Sequence, residues 1–421
     1  VRTAIVILLF LTACASNTAP DINPQYRLDN GLWFDGAGFA PATVYVADGK
    51  LRFSSDARPA DKTLNLNGGY VVPPYCEAHN HNLGDSADMN EVDQTIAAYL
   101  GDGVFYAMMP GSFKYYRDSI AGKINHPKSV DVAFANNGLT GSGGHPKALR
   151  EFLMERYGNY PEFTKDTLPD KGYFEADTPA QLREKWPLIL AEKPDFIKVM
   201  LLYSEEYGKR KDDPEFYGKR GLNPALLPEL VGLAHDEGLR VAAHVDTDAD
   251  MAAAINAGVD IIAHLPSNGS AERLSDETIL LAAKSGAALV TTLSVAKREE
   301  ERSPEQYAAI IEAQKADLSR LHAAGANLVI GSDRVWDTSR DEADHIASLG
   351  VLDNATLLKA WTENCARTVF PERKIGRLAE GYEASFLVLE NDPLADFDNT
   401  KNILLRMKDG EALILDGASG E

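Results

Sequence analysis

Tyr75-Cys76-Glu77-Ala78-His79-Asn80-His81 is the stretch on which the fold turns. It follows an apolar run and reads as the end of a strand. Side chains alternate across a strand, so His79 and His81 point the same way, and Glu77 shares their face one layer deeper. Cys76 points to the opposite face, toward covering helices, which argues against it as a ligand. Two imidazoles at i and i+2 can grip one cation, although such a pair by itself is weak evidence for a metal.

Seven further apolar runs follow in order: GVFYAMMP, VDVAFANN, FIKVMLL, RVAAHV, IIAHLP, ALVTTLS and NLVIGSD. Helical stretches such as PALLPELVGLAHDEGL and DADMAAAINAGV fall between them. Alternating strands and helices predict an α/β fold with a parallel sheet. Eight such units over residues 71–371 predict a (β/α)8 TIM-type barrel, with chemistry at the C-terminal ends of its strands. Five of the nine histidines, His79, His81, His145, His244 and His264, fall at or just beyond those ends.

The flanks read differently. Residues 26–70 and 372–421 hold short strand-like runs punctuated by Asp35-Gly36, Asp48-Gly49 and Asn67-Gly68-Gly69. They predict one small β-sandwich domain made from both chain ends. Residues 203–220, YSEEYGKRKDDPEFYGKR, interrupt the pattern after the fourth strand, as a solvated loop or as a lid that shapes specificity.

Residues 1–13, VRTAIVILLFLTA, have the length of a signal-peptide core and are too short to span a bilayer. Leu11-Thr12-Ala13-Cys14 resembles a bacterial lipobox, which makes 1–13 a lipoprotein signal peptide and Cys14 the lipidated residue. Residues 14–25 then form a flexible tether. Ser16, two positions past Cys14, points to an outer-membrane lipoprotein facing the periplasm, touching the membrane only through its lipid. Among the three cysteines no disulfide framework is visible; Cys76 and Cys365 could oxidise in the periplasm, but nothing in the sequence pairs them. A formal net charge of −21 argues against a nucleic-acid partner. A small-molecule substrate is expected instead.

Lys198 sits inside a strand that should be buried on both faces. Such a lysine either pairs with a barrel carboxylate or, with its pKa lowered by desolvation, reacts with carbon dioxide to form a carbamate. The carbamate is an anion whose two oxygens can bridge two metal ions. His244 and His264 close consecutive small apolar strands and could bind a second cation together. Asp333 ends the eighth strand, where it could cap a helix, ligate a metal or accept a proton.

In this order (His-x-His, Lys, His, His, Asp) the residues resemble the binuclear amidohydrolase superfamily, over nearly all of residues 26–421. Ile375-Gly376-Arg377-Leu378, Gly381, Leu387-Val388-Leu389 and Asp392-Pro393 extend the resemblance. The family's strand-1 aspartate is Glu77 here, and Ala384-Ser385-Phe386 stands for its usual Ala-Asp-Leu. Asn80 and Asn82 are unusual decorations that should alter the pocket. The resemblance implies that His79, His81 and Asp333 hold the more buried metal, that His244 and His264 hold the other, and that carbamylated Lys198 bridges them. It also implies two divalent ions, zinc first and manganese, iron or cobalt as alternatives, with Asp333 as the proton acceptor. Gly143-Gly144-His145-Pro146 is similar to the imidazolonepropionase- and prolidase-like branch, in which the histidine contacts substrate. Tyr203 is a candidate donor to the tetrahedral intermediate.

The reaction this implies is hydrolysis of an amide, such as a dipeptide, an N-acyl amino acid or a cyclic amide. A lactonase or esterase on the same centre and a mononuclear deaminase remain as alternatives, as does a non-catalytic binding lipoprotein. By analogy with the family, a homo-oligomer is expected.

Overall fold

A computed structural model of the chain describes residues 25–53, 60–298, 302–413 and 415. The expected signal peptide, Cys14 and all of the tether but Gln25 lie outside the described residues. Among those described, no helix is long and apolar enough to cross a membrane.

All eight expected strands form, in parallel ladders. Tyr75–Glu77, Val104–Met109 and Asp131–Phe134 make one three-stranded sheet. Ile197–Met200, Val241–His244, Ile261–Ile262, Ala288–Val290 and Asn327–Val329 make a second. This second sheet is extended at its edge by two strands absent from the sequence reading, Gly138–Thr140 and Tyr173–Glu175. The ladders do not run unbroken around a ring. Isolated main-chain bonds join them instead, from Ala78 N to Ile330 O (3.0 Å), from Asp333 N to His79 O (2.7 Å) and from Asp195 N to Phe134 O (2.8 Å). The first two draw the ends of the first and last strands together, which matters for the site.

The strands form where expected because their side chains are apolar on both faces. All six residues of Val104–Met109 are buried, as a parallel sheet covered by helices requires. Helix boundaries are equally local. Thr247 caps Asp248–Asn256 with a capping box to Asp250, and Thr178 does the same for Pro179–Ala191 with Gln181.

The two chain ends share a single sheet of eight strands, in the order Glu411–Ala412, Ile403–Lys408, Phe386–Leu389, Tyr70–Val72, Tyr26–Phe34, Phe39–Ala47 and Lys50–Arg52, with Lys62–Asn65 also on Tyr26–Phe34. The strands of both ends pack one shared core as expected, but they are joined in one sheet, so a sandwich of two facing sheets is not confirmed. The run VVPPYCEAH is likewise two strands. Pro73 and Pro74 carry no N–H for a ladder, so Tyr70–Val72 joins the terminal sheet and Tyr75–Glu77 begins the barrel-like array.

The structure makes a cysteine pairing that the sequence left open. Cys76 and Cys365 form a disulfide, with Cα atoms 5.7 Å apart and a separation of 289 in sequence. Cys76 does face the helices, as alternation requires, and Cys365 opens the helix Cys365–Val369 that lies there. Beside the disulfide, Tyr75 stacks on Trp361 at 3.8 Å between ring centroids. The first strand of the site is therefore pinned to the last helices by a covalent bond and a stacked aromatic pair.

Candidate metal centre

The strand ends bring five imidazoles into one row. Ring centroids are separated by 5.3 Å (His81 to His79), 4.3 Å (His79 to His264), 4.6 Å (His264 to His244) and 5.1 Å (His244 to His145). Asp333 faces the middle of the row. Its Oδ1 lies 3.7 Å from His79 Nε2 and 3.4 Å from His81 Nε2, and its Oδ2 lies 3.9 Å from His264 Nδ1. Asp333 reaches this place in a left-handed conformation, φ 48°. A non-glycine residue held there is strained, and such strain persists only where neighbours impose it. Here the bond from Asp333 N to His79 O does so.

The tautomers of the first two histidines follow from their partners. His79 Nδ1 lies 2.8 Å from Ala263 O, and His81 Nδ1 lies 2.8 Å from Gly111 O. A carbonyl only accepts, so both Nδ1 atoms carry the proton and both Nε2 atoms present bare lone pairs. Those lone pairs face each other at 3.3 Å, with the Asp333 carboxylate beside them. Two imidazole nitrogens and a carboxylate thus converge on one small space, an arrangement suited to a cation between them. Donor atoms about 2.0–2.1 Å from a tetrahedral zinc would be about 3.3 Å apart, close to the spacing seen. His79, His81 and Asp333 are accordingly a group that could hold a metal ion.

Electrostatics suit the same purpose. Burial, and then the nearby Lys198 charge, hold His79 well below its ordinary pKa, so it stays a neutral ligand. Burial, His79 and His244 do the same to His264. Burial and the neighbouring His244 push His145 down to about 3. Lys198 is 2% exposed, and burial lowers it to about 7 against an opposing pull from Asp333. Its amine is therefore substantially neutral near neutral pH, as carbamate formation needs.

The structure places the second set less simply. His264 Nδ1 is 3.1 Å from Thr292 Oγ1, and His244 Nε2 is 3.0 Å from Asp246 Oδ1. Only the other nitrogen of His244 is left for an ion. Burial alone would raise the Asp246 carboxyl, but His244 and His145 beside it draw it below the ordinary range. Asp246 and Thr292 went unnoticed in the sequence. The signal for Asp246 was its i+2 spacing from His244.

Glu77 turns out to be central. Its Oε1 accepts from His79 N (3.1 Å) and Ser332 N (2.8 Å), and its Oε2 accepts from Ser332 Oγ (2.7 Å) and Asn80 Nδ2 (3.3 Å). The longer glutamate thus knits the His-x-His turn to the segment carrying Asp333. Burial nevertheless raises its pKa to about 8, against the pull of these donors. Asn80 and Asn82 tie the His-x-His turn to a neighbouring loop. They bond the loop after Asp333, through Arg334 O (2.9 Å) and Asp337 O (2.7 Å) respectively.

His145 and Tyr203 sit at the mouth. His145 N donates to Arg220 O (2.9 Å), and Gly218 N donates to Gly143 O (2.8 Å). The 203–220 excursion is therefore fastened to the Gly-Gly-His loop. A Cβ on Gly144 would fall 2.3 Å from Thr140 Oγ1, which explains glycine there. Tyr203 has φ 53° and is held by Asp250, whose Oδ2 accepts from Tyr203 N at 2.9 Å. Its ring carries Arg210 at 3.6 Å. A cavity of about 740 Å³ lies at the other ends of the strands, among Arg240, Asp260, Asn327 and Arg367. It contains none of these residues, and the chemistry is assigned by the converging side chains rather than by cavity size.

Residues 213–413 match the amidohydrolase family. Ochratoxinase of Aspergillus niger is 26% identical over 399 residues, covering 86% of this chain and 80% of that protein. The crystal structure of A. niger ochratoxinase superposes with a TM-score of 0.72 at 21% identity, covering 93% of this chain and 96% of that one. A putative prolidase from Bifidobacterium longum gives a TM-score of 0.69 at 20% identity, covering 93% and 95%. The structural likeness shows a shared fold.

Proposed function

We propose that this chain is a metal-dependent hydrolase of the amidohydrolase superfamily that cleaves an amide bond at the His79–His81–Asp333 centre. The observation that carries the proposal is the convergence of two imidazoles and a carboxylate whose ligand atoms all lie within 4.8 Å of one another. His79, His81 and Asp333 would hold the more buried ion. His244, His264 and carbamylated Lys198 would hold a second, with the carbamate shared. Nitrogen and oxygen donors suit zinc, and also manganese, iron or cobalt. When bound, such ions act as Lewis acids toward a carbonyl and make water more acidic.

The side chains supply the rest. Asp333 faces both halves of the row, where it takes the proton from the attacking water and returns it to the leaving nitrogen. Lys198, neutral through burial, adds carbon dioxide and loses a proton, which turns a costly buried cation into an anionic ligand. Neutral His145, stacked on His244, contacts the substrate carbonyl. Burial raises the Tyr203 phenol above its ordinary pKa, so it stays protonated and can donate to the developing oxyanion.

The names of the relatives, an ochratoxinase and prolidases, favour an amide in a peptide-like or acyl-amino-acid setting. Export is supported by the Cys76–Cys365 disulfide, since such bonds persist in oxidising compartments. The test is to assay dipeptides, N-acyl amino acids and matched lactones before chelation, after chelation, and after restoring zinc or manganese. Amide cleavage lost on chelation and regained on refilling is expected. Cleavage of lactones alone, or amide cleavage indifferent to chelation, would overturn the proposal.

A further inference from the structure

Arg150 lies in the first turn of the helix Lys147–Tyr157, five residues after His145, and is 6% exposed. Among the described residues no hydrogen bond or ion pair to its guanidinium is formed, and Nε and Nη1 are buried without partners. A buried cation is strongly unfavourable unless it is paired. The Phe113 ring lies 4.1 Å from its Cζ and the Tyr160 ring 5.6 Å. Those aromatic faces offset part of the cost but leave its in-plane donors unused.

Its surroundings belong to the mouth of the site. Asp85 follows the strand Tyr75–Glu77, four residues past His81. Phe113 follows the strand Val104–Met109, two residues past Gly111, whose carbonyl holds His81. Arg150 and Tyr160 follow the third strand. Three consecutive strand-end loops therefore converge on one unsatisfied guanidinium. Asp85 is the carboxyl nearest in effect, yet it makes no ion pair with Arg150. Its Oδ1 is itself unpartnered, and its Oδ2 only receives the Tyr160 hydroxyl at 3.5 Å. Burial raises the Asp85 pKa, against the pull of the Arg150 charge.

We propose that Arg150 anchors a carboxylate subsite, so that the substrate is an amide whose free carboxylate docks on the guanidinium between Asp85 and the Phe113 and Tyr160 rings. The inference rests on the hydrolase reading above and narrows its substrate class. A guanidinium matches a carboxylate geometrically, with parallel N–H donors that a point charge cannot reproduce.

The test is calorimetric binding of two probes, N-acetyl-L-phenylalanine and N-acetyl-L-phenylalaninamide, to the metal-loaded chain on a timescale short of any cleavage. The acid should bind at least about tenfold more tightly than the amide. In Arg150→Met that preference should vanish while metal content and circular dichroism stay unchanged. Equal binding of the two probes to the unmodified protein, or a preference that survives in Arg150→Met, would overturn the subsite. Should Arg150→Met fail to fold, Arg150→Lys replaces it. A preference reduced at least about threefold supports the subsite, and an undiminished one overturns it. Binding is read whether or not either probe is hydrolysed. Absence of any amide cleavage would thus defeat the functional proposal and leave the carboxylate preference to be judged separately.

Discussion

His79 and His81 hang from main-chain carbonyls, whereas His244 and His264 are steadied by side chains. Ala263 O and Gly111 O fix the first pair, and Asp246 and Thr292 touch the second. Main-chain anchors arrive with the fold and survive any substitution at their own position. Side-chain anchors are separable from the fold and can be removed singly. The first half of the site is thus preorganised by the strands, and the second half is adjustable.

Asp333 belongs to both halves, so its loss should have the largest effect. Asp333→Asn is expected to lower kcat by about 10²- to 10⁴-fold, the usual contribution of a positioned acid–base group, with little change in Tm. A fall below tenfold would show that the proton passes elsewhere.

The contrast between anchors predicts a smaller, selective effect. Asp246→Asn should weaken one ion by about 10- to 100-fold, as loss of a supporting partner usually does, and leave the other unaffected. Competition with a chromophoric chelator measures this. Glu77→Gln tests the exception, a side chain that supports the first half. With its carbonyl oxygen kept on Ser332 N and His79 N, it turns an amide N–H₂ against the donor Asn80 Nδ2, and should weaken the other ion by a similar factor. Equal weakening of both ions by either change would break the distinction.

The smallest effect concerns pH. His145 has a folded pKa of about 3 against an ordinary 6.5. The unfolded chain therefore binds a proton that the native chain refuses, and stability falls as pH drops from about 6.5 toward 3. The metal-free His145→Gln protein should show a shallower fall of Tm over that window. An identical slope would mean that His145 is not held neutral.

Much of this was legible because it is local. The eight strands stand out as apolar runs, and alternation correctly sends His79 and His81 one way and Cys76 the other. The order of polar strand ends then assembles His79, His81, His244, His264 and Asp333. What escaped depends on distant chain segments meeting. Nothing near Cys76 announces a partner 289 residues away. The edge strands Gly138–Thr140 and Tyr173–Glu175 are three residues each, too short for a period to show. The terminal segments read as strands, but their joining in one sheet depends on pairing partners, as in Phe386–Leu389 against Tyr70–Val72. Arg150 reads as an ordinary helical arginine until three loops are seen to bury it without a partner. The Thr247–Asp250 capping box was readable, but its second service, holding Tyr203, was not.

The central claim is a centre in which neutral Lys198 becomes a shared anionic ligand. The most direct measurement is metal content of the chain purified with bicarbonate, beside that of Lys198→Ala. The account predicts about two ions per chain, falling toward one in the variant, with the mass of one carbon dioxide on Lys198 in the unmodified protein. One ion per chain in both proteins, with an unmodified Lys198, would contradict it.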